Sequence, residues 1–323
     1  MALVSVIIPT TRRPLQLRRA LDSVFAQTYG NLEVIVVVDG HNPETMAMLA
    51  AYDEPRLRVL QNDHTLGPGP ARNAGAEIAR GDWLAFLDDD DEWLADKLER
   101  QLTAASLDEA VLLTCRCRVI TPQATYIWPR QPYDGQTPVD LHLWQRHSLF
   151  RGEAYVATAS YLLPRWLFMQ ARFGSTPQNE DTTLLLRLTK QCGARIVMLP
   201  DVLAVIHADD LRNSLGTNFA WRDALAWIES MGGLVTPRAY AGFCLVVLAS
   251  QARRTGDYAG LAFLLRRSFV HGKPSFNQLL VFAAFWLLPM ELRQRLRAAV
   301  QYFTSARRMP MGETVGESHA DSK

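Results

Sequence analysis

The stretch Phe86-Leu87-Asp88-Asp89-Asp90-Asp91-Glu92-Trp93 decides how the rest of this sequence is interpreted. The apolar residues 83–87 predict a short buried strand, which runs directly into four adjacent carboxylates. Neighbouring carboxylates repel one another and resist desolvation unless a cation neutralises them. One interpretation is a solvated acidic turn before a helix, whose first turn favours Asp and Glu. The other is a site for a hard divalent cation, Mg²⁺ or Mn²⁺, held by one or two carboxylates and bridging to substrate phosphates.

The segments before this stretch alternate between strand and helix patterns. Residues 4–8 form a continuous β-branched run, and residues 32–38 repeat that pattern immediately before Asp39. Residues 57–60 predict a third strand, and helix-spaced apolar residues separate the three. The alternation predicts an α/β fold with a Rossmann-like, mostly parallel mixed sheet flanked by helices. Because ligands of such a sheet gather beyond the carboxyl ends of its strands, the position of the acids favours the cation site.

A glycine-rich turn precedes the predicted helix over residues 71–79. Gly67 and Gly69 match the first two glycines of a dinucleotide-binding loop, but Arg72 stands where the third glycine belongs. The turn is therefore not interpreted as a dinucleotide site. A helix N-terminus with an arginine in its first turn suits a diphosphate, although such an arginine is also compatible with plain solvent exposure.

Composition and charge exclude some classes of protein. The chain has 323 residues, enough for a substantial core, and its net charge of +1 argues against a nucleic-acid partner. The cysteines form no CxxC pair, so buried free thiols in a reducing compartment are expected; they are Cys115, Cys117, Cys192 and Cys244. No basic segment with a cleavage site precedes residues 4–8, and the catalytic part is therefore expected in the cytoplasm.

The middle of the chain predicts further strands. Residues 110–120 alternate as a strand, residues 122–138 suggest a loop or flap, and residues 157–164 suggest a strand whose small side chains allow a substrate to approach. Residues 195–199 and 202–206 predict two more strands, the second ending at a histidine.

An acidic pair, Glu180 and Asp181, precedes a helix predicted over residues 184–190. Either Asp181 or Thr182 would make an ordinary helix N-cap, so the pair has a structural interpretation as well as a catalytic one.

Several of these segments together resemble the family 2 inverting glycosyltransferases. They occur in the family's order and spacing over roughly residues 1–210, and each is weak alone. The matching segments are Val4-Ser5-Val6-Ile7-Ile8-Pro9-Thr10, Glu33-Val34-Ile35-Val36-Val37-Val38-Asp39-Gly40, Ala71-Arg72-Asn73-Ala74-Gly75, residues 81–93 and Glu180-Asp181. The resemblance implies a GT-A fold, a nucleoside-diphosphate-sugar donor, a divalent cation at a DxD-like cluster, and a carboxylate base.

The resemblance also implies a role for individual residues. Asp181 would be the general base, and Glu180 would orient the acceptor or the local backbone. The cation, Mn²⁺ or Mg²⁺, would lie at Asp90, with His207 as a second candidate ligand. The nucleotide sugar would contact Pro9, Thr10, Arg13, Asp39, Arg72, Asp88 and Asp89.

Three positions depart from the family pattern. Val38 stands where the first of two acids is usual, so contact with the base falls to Asp39. Arg12 and Arg13 stand where an Asn-Arg pair is common in the family, so Arg13 is expected to take the role of that arginine. The family's short histidine-containing segment is matched only loosely, by His207.

The C-terminal third has a purely helical pattern. We predict a catalytic domain over residues 1–215, a helical region over 216–310 and a disordered polar tail over 311–323. The apolar run at residues 279–290 would span ~18 Å as a helix, too short for the ~30 Å core of a bilayer.

Two interpretations of this helical region remain open. Trp286 and nearby arginines suit an interfacial helix over residues 276–300, at the inner membrane face. Alternatively, the helices pack on the catalytic core or on a second subunit in a homodimer.

The expected protein is thus a metal-dependent inverting glycosyltransferase, with UDP favoured in the donor and a saccharide or lipid-linked saccharide as acceptor. Two other functions stay open: a nucleotidyltransferase acting on sugar phosphates, and a non-catalytic nucleotide-sugar-binding protein. Neither needs the Glu180-Asp181 pair.

Overall fold

Nine strands form one mixed sheet in the part of the chain that the computed structural model describes, residues 1–145, 156–176, 179–208 and 220–288. The strands are β1 Val4–Thr10, β2 Leu32–Val38, β3 Leu57–Gln61, β4 Trp83–Phe86, β5 Glu92–Trp93, β6 Val111–Ile120, β7 Thr125–Trp128, β8 Leu162–Pro164 and β9 Arg195–His207. The helices are α1 Pro14–Phe25, α2 Pro43–Ala50, α3 Pro68–Ile78, α4 Lys97–Leu102, α5 Val139–Trp144, α6 Arg165–Ala171, α7 Glu180–Lys190, α8 Trp221–Ser230, α9 Pro237–Gly242, α10 Ala249–Arg254, α11 Tyr258–Val270 and α12 Phe276–Leu287.

The order of the strands is β3-β2-β1-β4-β8-β6-β9-β5, and β7 pairs with β6. β1 is parallel to both β2 and β4, and β2 is parallel to β3, so the carboxyl ends of these four strands lie at one edge of the sheet. β8 runs antiparallel to β4 and β6, which makes the sheet mixed. The predicted mixed α/β fold is confirmed.

Side chains of the central strands alternate between two apolar cores. Ile7 and Ile35 contribute to one core, and Val6 and Val34 contribute to the other. All four are fully buried, because helices cover both faces of the sheet. Each such side chain stabilises the fold by roughly 1.5–3 kcal/mol, which explains why β1 and β2 are mostly apolar.

The helices of residues 220–288 pack on helices that flank the sheet. The indole Nε1 of Trp227 on α8 donates to Oγ1 of Thr183 on α7 at 2.9 Å. Asp140 on α5, which is fully buried, accepts hydrogen bonds from the backbone N–H and the hydroxyl of Thr236, at 2.8 and 2.7 Å. A π-helical turn, Phe243–Leu248, joins α9 to α10. The predicted domain boundary at residue 215 lies outside the described residues.

Within the described ranges, every helix is too short or too polar to cross a bilayer. The predicted interfacial segment, residues 276–300, is described only as far as residue 288, and the predicted tail lies beyond it.

Three segment predictions were wrong. Residues 157–164 form a 3-10 turn, Thr158–Ser160, and then the short strand β8, because Ser160 Oγ bonds the carbonyl of Ala157 and pulls the chain into a turn. The segment interpreted as a loop contains β7, which pairs with β6. The two strands expected after residue 195 are the single strand β9, whose pairing with β6 shifts register next to Arg116.

Candidate active site

Residues from five elements meet at the carboxyl edge of the sheet. Thr10 ends β1, Asp39 follows β2, and Asp88 and its neighbouring acids follow β4. Arg72 on α3 and Glu180 on α7 complete the group. Arg72 pairs with Asp88, and Glu180 pairs with Arg72. The directly paired Arg72 and Glu180 are separated by 108 positions in the sequence.

Two acids of the cluster, Asp89 and Asp90, are contacted by residues of β1 and of the loop after it. The hydroxyl of Thr10 donates to Asp89 at 2.7 Å, and Nη1 of Arg13 lies 3.3 Å from Asp89 and 2.6 Å from Asp90. Burial raises the pKa of Asp89 to about 6, although the hydrogen bond from Thr10 lowers it. Burial and then repulsion from Asp88 also raise the pKa of Asp90, against the attraction of Arg13. One arginine thus only partly compensates two carboxylates.

Arg72 connects the acidic cluster to the acidic pair on α7. The side chain is only 4 % exposed, so the interpretation that this arginine is merely solvent-exposed is wrong. Nη2 pairs with Asp88, and Nη1 pairs with Oε1 of Glu180 at 3.1 Å. Burial lowers the pKa of the guanidinium, but the attraction of the two carboxylates outweighs burial and holds this pKa above its usual value. The Nε of Arg72 is buried and makes no hydrogen bond.

Two glycines let α3 and α7 approach closely enough for this bridge. A Cβ atom at Gly69 would lie 2.4 Å from the carbonyl oxygen of Gly174 and 2.9 Å from Cβ of Glu180. A Cβ at Gly174 would lie 3.0 Å from Oγ1 of Thr183 on α7. The helix containing Arg72 also begins at Pro68, three residues before the predicted start, because a proline is favourable in a first turn.

The acidic pair lies inside the first turn of α7. The helix begins at Glu180, not at residue 184, and the preceding Asn179 makes no side-chain cap, so the N-cap interpretation of Asp181 and Thr182 is wrong. Oδ1 of Asp181 accepts hydrogen bonds from the backbone N–H and the hydroxyl of Thr182, at 2.6 and 3.2 Å. Burial raises the pKa of Asp181, and burial with repulsion from Asp181 raises that of Glu180 to about 7, against the attraction of Arg72.

Asp39 anchors the loop that leads into α3. Its carboxylate accepts from Nδ2 of Asn62 at 2.9 Å and from the backbone N–H groups of Leu66 and Gly67, at 3.0 and 2.8 Å to the nearer oxygens. The N–H of Leu66 is shared between the two carboxylate oxygens, at 3.0 and 3.1 Å, so each oxygen of Asp39 accepts two hydrogen bonds in this structure. The carboxylate is thus held in a fixed orientation at the predicted position of the base. Contact with the base stays a prediction.

His207 ends β9 at the far side of the acidic cluster. Its Nε2 lies 2.6 Å from Oε1 of Glu92, and its backbone N–H donates to Asp91 at 3.0 Å. Burial and repulsion from Asp88 hold the pKa of Asp91 well above its usual range. A metal role for His207 would use Nδ1 while Glu92 holds Nε2, and it stays a prediction.

Sequence reasoning missed one arginine of this cluster. Arg19 on α1 donates to the backbone carbonyl of Asp90 at 2.6 Å, and its Nε lies 3.3 Å from Glu92. No local signal distinguishes Arg19 from Arg18 beside it, since both are arginines in the middle of α1.

The chemistry of the cluster fits a hard divalent cation. Among the described residues, no group of three or more His, Cys, Asp or Glu side chains is arranged to hold a metal ion. Mg²⁺ typically needs only one or two protein carboxylates, since substrate phosphates and water supply the other oxygens. Burial, together with repulsion between neighbouring acids, raises the pKa values of Asp89, Asp90 and Asp91, and a bound cation would favour their ionised forms.

Comparison with known proteins agrees with this arrangement. The chain is 30% identical over 194 residues to the succinoglycan biosynthesis protein ExoO of Rhizobium meliloti, covering 58% of this chain and 56% of that protein. It is 36% identical over 101 residues to the UDP-Glc:alpha-D-GlcNAc-diphosphoundecaprenol beta-1,3-glucosyltransferase WfgD of Escherichia coli, covering 31% and 40%. The chain spans about half the length of the curated relatives it matches.

A solved structure shares the fold. S. aureus TarS 1-349, crystallised in complex with UDP-GlcNAc, superposes with a TM-score of 0.55 at 18% identity over 83% of this chain and 73% of that one. This likeness supports the GT-A arrangement of sheet and helices. The family described as "Glycosyl transferase family 2" matches residues 5–163, a segment that includes β1, β2, α3 and the whole acidic cluster. Residues 5–163 of the chain are thus similar to glycosyl transferase family 2.

Proposed function

We propose that this protein transfers a sugar from a nucleoside-diphosphate sugar to an acceptor hydroxyl, with inversion at the anomeric carbon. The single observation that carries the proposal is the buried bridge from Asp88 through Arg72 to Glu180. It joins the cluster expected to bind the donor to the pair expected to supply the base. The biological setting we propose is the synthesis of a cell-surface polysaccharide or glycolipid, as the names of relatives such as ExoO suggest.

Arg72 has the free hydrogen-bonding capacity that a diphosphate needs. A guanidinium carries five N–H donors, and the buried Nε of Arg72 has no hydrogen-bond partner. A buried donor without a partner costs stability, so a ligand oxygen at Nε would be favourable. Phosphate oxygens suit the planar guanidinium geometrically. Arg72 would therefore stabilise negative charge on the departing diphosphate, together with Arg13.

The acidic pair on α7 supplies the base. The carboxylate of Asp181 would take the proton of the acceptor hydroxyl while its oxygen attacks the anomeric carbon. The bond between that carbon and the diphosphate oxygen breaks in the same step, and the nucleoside diphosphate leaves on the opposite side. Burial favours this role because it raises the pKa of Asp181 and makes the carboxylate a stronger base.

Asp90 is the residue that would hold a divalent cation, with His207 as the second candidate. The cation, when bound, would neutralise negative charge on the diphosphate. Asp90 suits this role because its carboxylate is the more exposed of the two that Arg13 contacts, with 36% of its side chain exposed against 9% for Asp89. Asp88 and Asp89 are left for the ribose hydroxyls.

The acceptor we propose is a saccharide or a lipid-linked saccharide, reached from the cytoplasmic side of a membrane. The relative WfgD is named for an acceptor linked to diphosphoundecaprenol, which supports a lipid-linked class. The described cysteines are free, although Cys115 and Cys117 lie close together on one strand, and free thiols fit a reducing compartment.

A panel of nucleotide sugars tests the proposed function. We expect one or more of them to raise the melting temperature of the full-length protein in Mn²⁺, because only a ligand of the folded state stabilises it. The matching donor should then release nucleoside diphosphate in a reaction that an acceptor accelerates.

Each alternative function has its own result in this experiment. Release of pyrophosphate from a nucleoside triphosphate and a sugar phosphate would identify a nucleotidyltransferase instead. Stabilisation by a nucleotide sugar without any release, across a broad acceptor panel, would leave only a binding protein.

The base of the donor follows from Asp39. A carboxylate only accepts hydrogen bonds, so a contact with Asp39 would favour a base that presents a ring N–H. Uracil, thymine and guanine present one, whereas cytosine does not. We therefore expect binding of a UDP-, dTDP- or GDP-sugar, with UDP favoured, measured by calorimetry. Tight binding of a CMP- or CDP-sugar alone would contradict this prediction.

The transfer rate should depend on pH through the acidic pair. The pKa of Glu180 is raised to about 7 and that of Asp181 is raised, so the pair gains a proton as the pH falls through the neutral range. Protonation of Asp181 would remove the base, so we expect kcat at saturating donor and acceptor to fall as the pH is lowered, beginning at a higher pH than an exposed aspartate would give. Donor affinity measured at each pH is the control. A kcat that stays constant down to the pH at which an exposed aspartate titrates would contradict the assignment.

A further inference from the structure

The outward face of α11 is apolar, the reverse of what a surface helix of a soluble protein shows. The exposed side chains of this helix are Tyr258, Ala259, Ala262, Phe263, Arg266, Phe269 and Val270. Arg266 is the only charged residue among them. Phe269 is 58% exposed and Val270 is 63% exposed, so more than half of each residue's surface is accessible to solvent.

The next helix, α12, also exposes apolar side chains. Phe276 is 74% exposed, Leu280 is 52% exposed and Leu287 is 76% exposed, while Val281 and Phe282 pack into the core. The start of α12 is well defined, because Ser275 and Gln278 form a reciprocal capping box. The apolar side chains of α12 are thus held outward by a helix that is anchored on its other face.

The charge of this region has one sign. Residues 258–288 contain no Asp or Glu, whereas Arg266 and Lys273 are exposed beside the apolar side chains. Val59 on β3 and Ile127 on β7, which are exposed apolar residues elsewhere in the described chain, are less exposed, at 39% and 44%. Isolated apolar residues on a surface are normal, but strongly exposed apolar residues on two helices joined by a short turn, with basic and no acidic residues, favour an interaction site.

We infer that this surface, defined by Phe263, Phe269, Val270, Phe276, Leu280 and Leu287 with Arg266 and Lys273, lies on an anionic lipid bilayer. The apolar side chains would enter the region between headgroups and acyl chains, and the two basic side chains would meet lipid phosphates. A second copy of the chain fits less well, because a symmetric contact would bring like charges together in an apolar interface. The inference extends the predicted interfacial segment to α11, and it does not depend on the transfer reaction.

Vesicle sedimentation of the full-length protein tests the inference. We expect the protein to sediment with vesicles that contain phosphatidylglycerol, and to bind less at high salt and on pure phosphatidylcholine. The triple variant Phe269→Gln, Val270→Gln and Phe276→Gln should bind at least tenfold more weakly. A matched control replaces three exposed apolar residues on other faces, Val59→Gln, Tyr126→Gln and Ile127→Gln, and should bind like the wild type.

Both variants need a measure of folding that is independent of lipid. Melting temperature, and stabilisation by the donor found in the nucleotide-sugar panel, should match the wild type, since the replaced side chains are exposed. The inference is overturned if the wild-type protein stays in the supernatant with anionic vesicles at low salt, or if the triple variant binds as tightly as the wild type. It is also overturned if the wild type is a dimer in solution and the triple variant is a monomer, because a second copy then covers this surface.

Discussion

Asp181→Asn is expected to reduce sugar transfer by at least about a hundredfold and to leave donor affinity and melting temperature unchanged. A positioned general base typically contributes ~10²–10⁴-fold to a rate, and the amide has no basic lone pair for the acceptor proton. The fold should tolerate the change, since the amide oxygen can still accept the hydrogen bonds that Thr182 donates to Oδ1 of Asp181. Rate and donor affinity are measured separately, by nucleoside-diphosphate release and by calorimetry.

Glu180→Gln is the matched control for this variant. Glu180 pairs with Arg72, so this change should weaken the positioning of Arg72 and reduce transfer less than Asp181→Asn does. A near-normal rate for Asp181→Asn, with a large loss for Glu180→Gln, would show that Glu180 is the general base instead. Near-normal rates for both variants would show that the pair has only a structural role in the first turn of α7.

The sheet and the convergence of its acids could be predicted because they depend on local periodicity. Continuous β-branched runs such as β1 and β2 are typical of parallel strands that are buried on both faces. Once those strands are parallel, the residues that follow them must share one edge of the sheet, which places Asp39 and Asp88 together without any knowledge of tertiary contacts. The predicted positions of these acids at the sheet edge agree with the structure.

The pairing within the site could not be predicted, because it depends on how two distant helices pack. Arg72 and Glu180 are 108 residues apart, and their contact requires the close approach of α3 and α7 at Gly69. In sequence, Gly69 is only one glycine of a turn, since nothing local indicates which backbone approaches it. The start of α7 was misplaced for a similar reason: acidic residues are favourable both at an N-cap and inside the first turn, so residue type alone does not locate the boundary.

The apolar surface of α11 and α12 could be predicted only in part, because the sequence does not show which apolar side chains the fold buries. The run from Leu261 to Leu265 has apolar residues on every side of the helix, so periodicity does not say which of them face the core. The structure separates them: Leu261 and Leu264 are buried, whereas Phe263 is 46% exposed. α11 therefore has a core side and an outward side that are both apolar.

Asp90→Ala is expected to abolish transfer and to weaken the binding of the nucleoside diphosphate, with little loss of melting temperature. The carboxylate is partly exposed, and its ionised form is unfavourable in the folded protein because burial and repulsion from Asp88 raise its pKa. Removing that charge relieves repulsion within the cluster and frees Arg13 to pair with Asp89 alone, so stability above neutral pH should be kept or slightly increased.

Asp90→Asn, which keeps the volume of the side chain, should lose transfer as fully, because a neutral amide is a far weaker ligand for a hard cation. The wild-type protein treated with EDTA should show the same loss and recover on addition of Mn²⁺ or Mg²⁺, whereas neither variant should recover. Full turnover of the wild type in EDTA, or a normal rate for Asp90→Ala, would contradict the metal assignment and leave the acidic cluster to bind the ribose and to position Arg13 and Arg72.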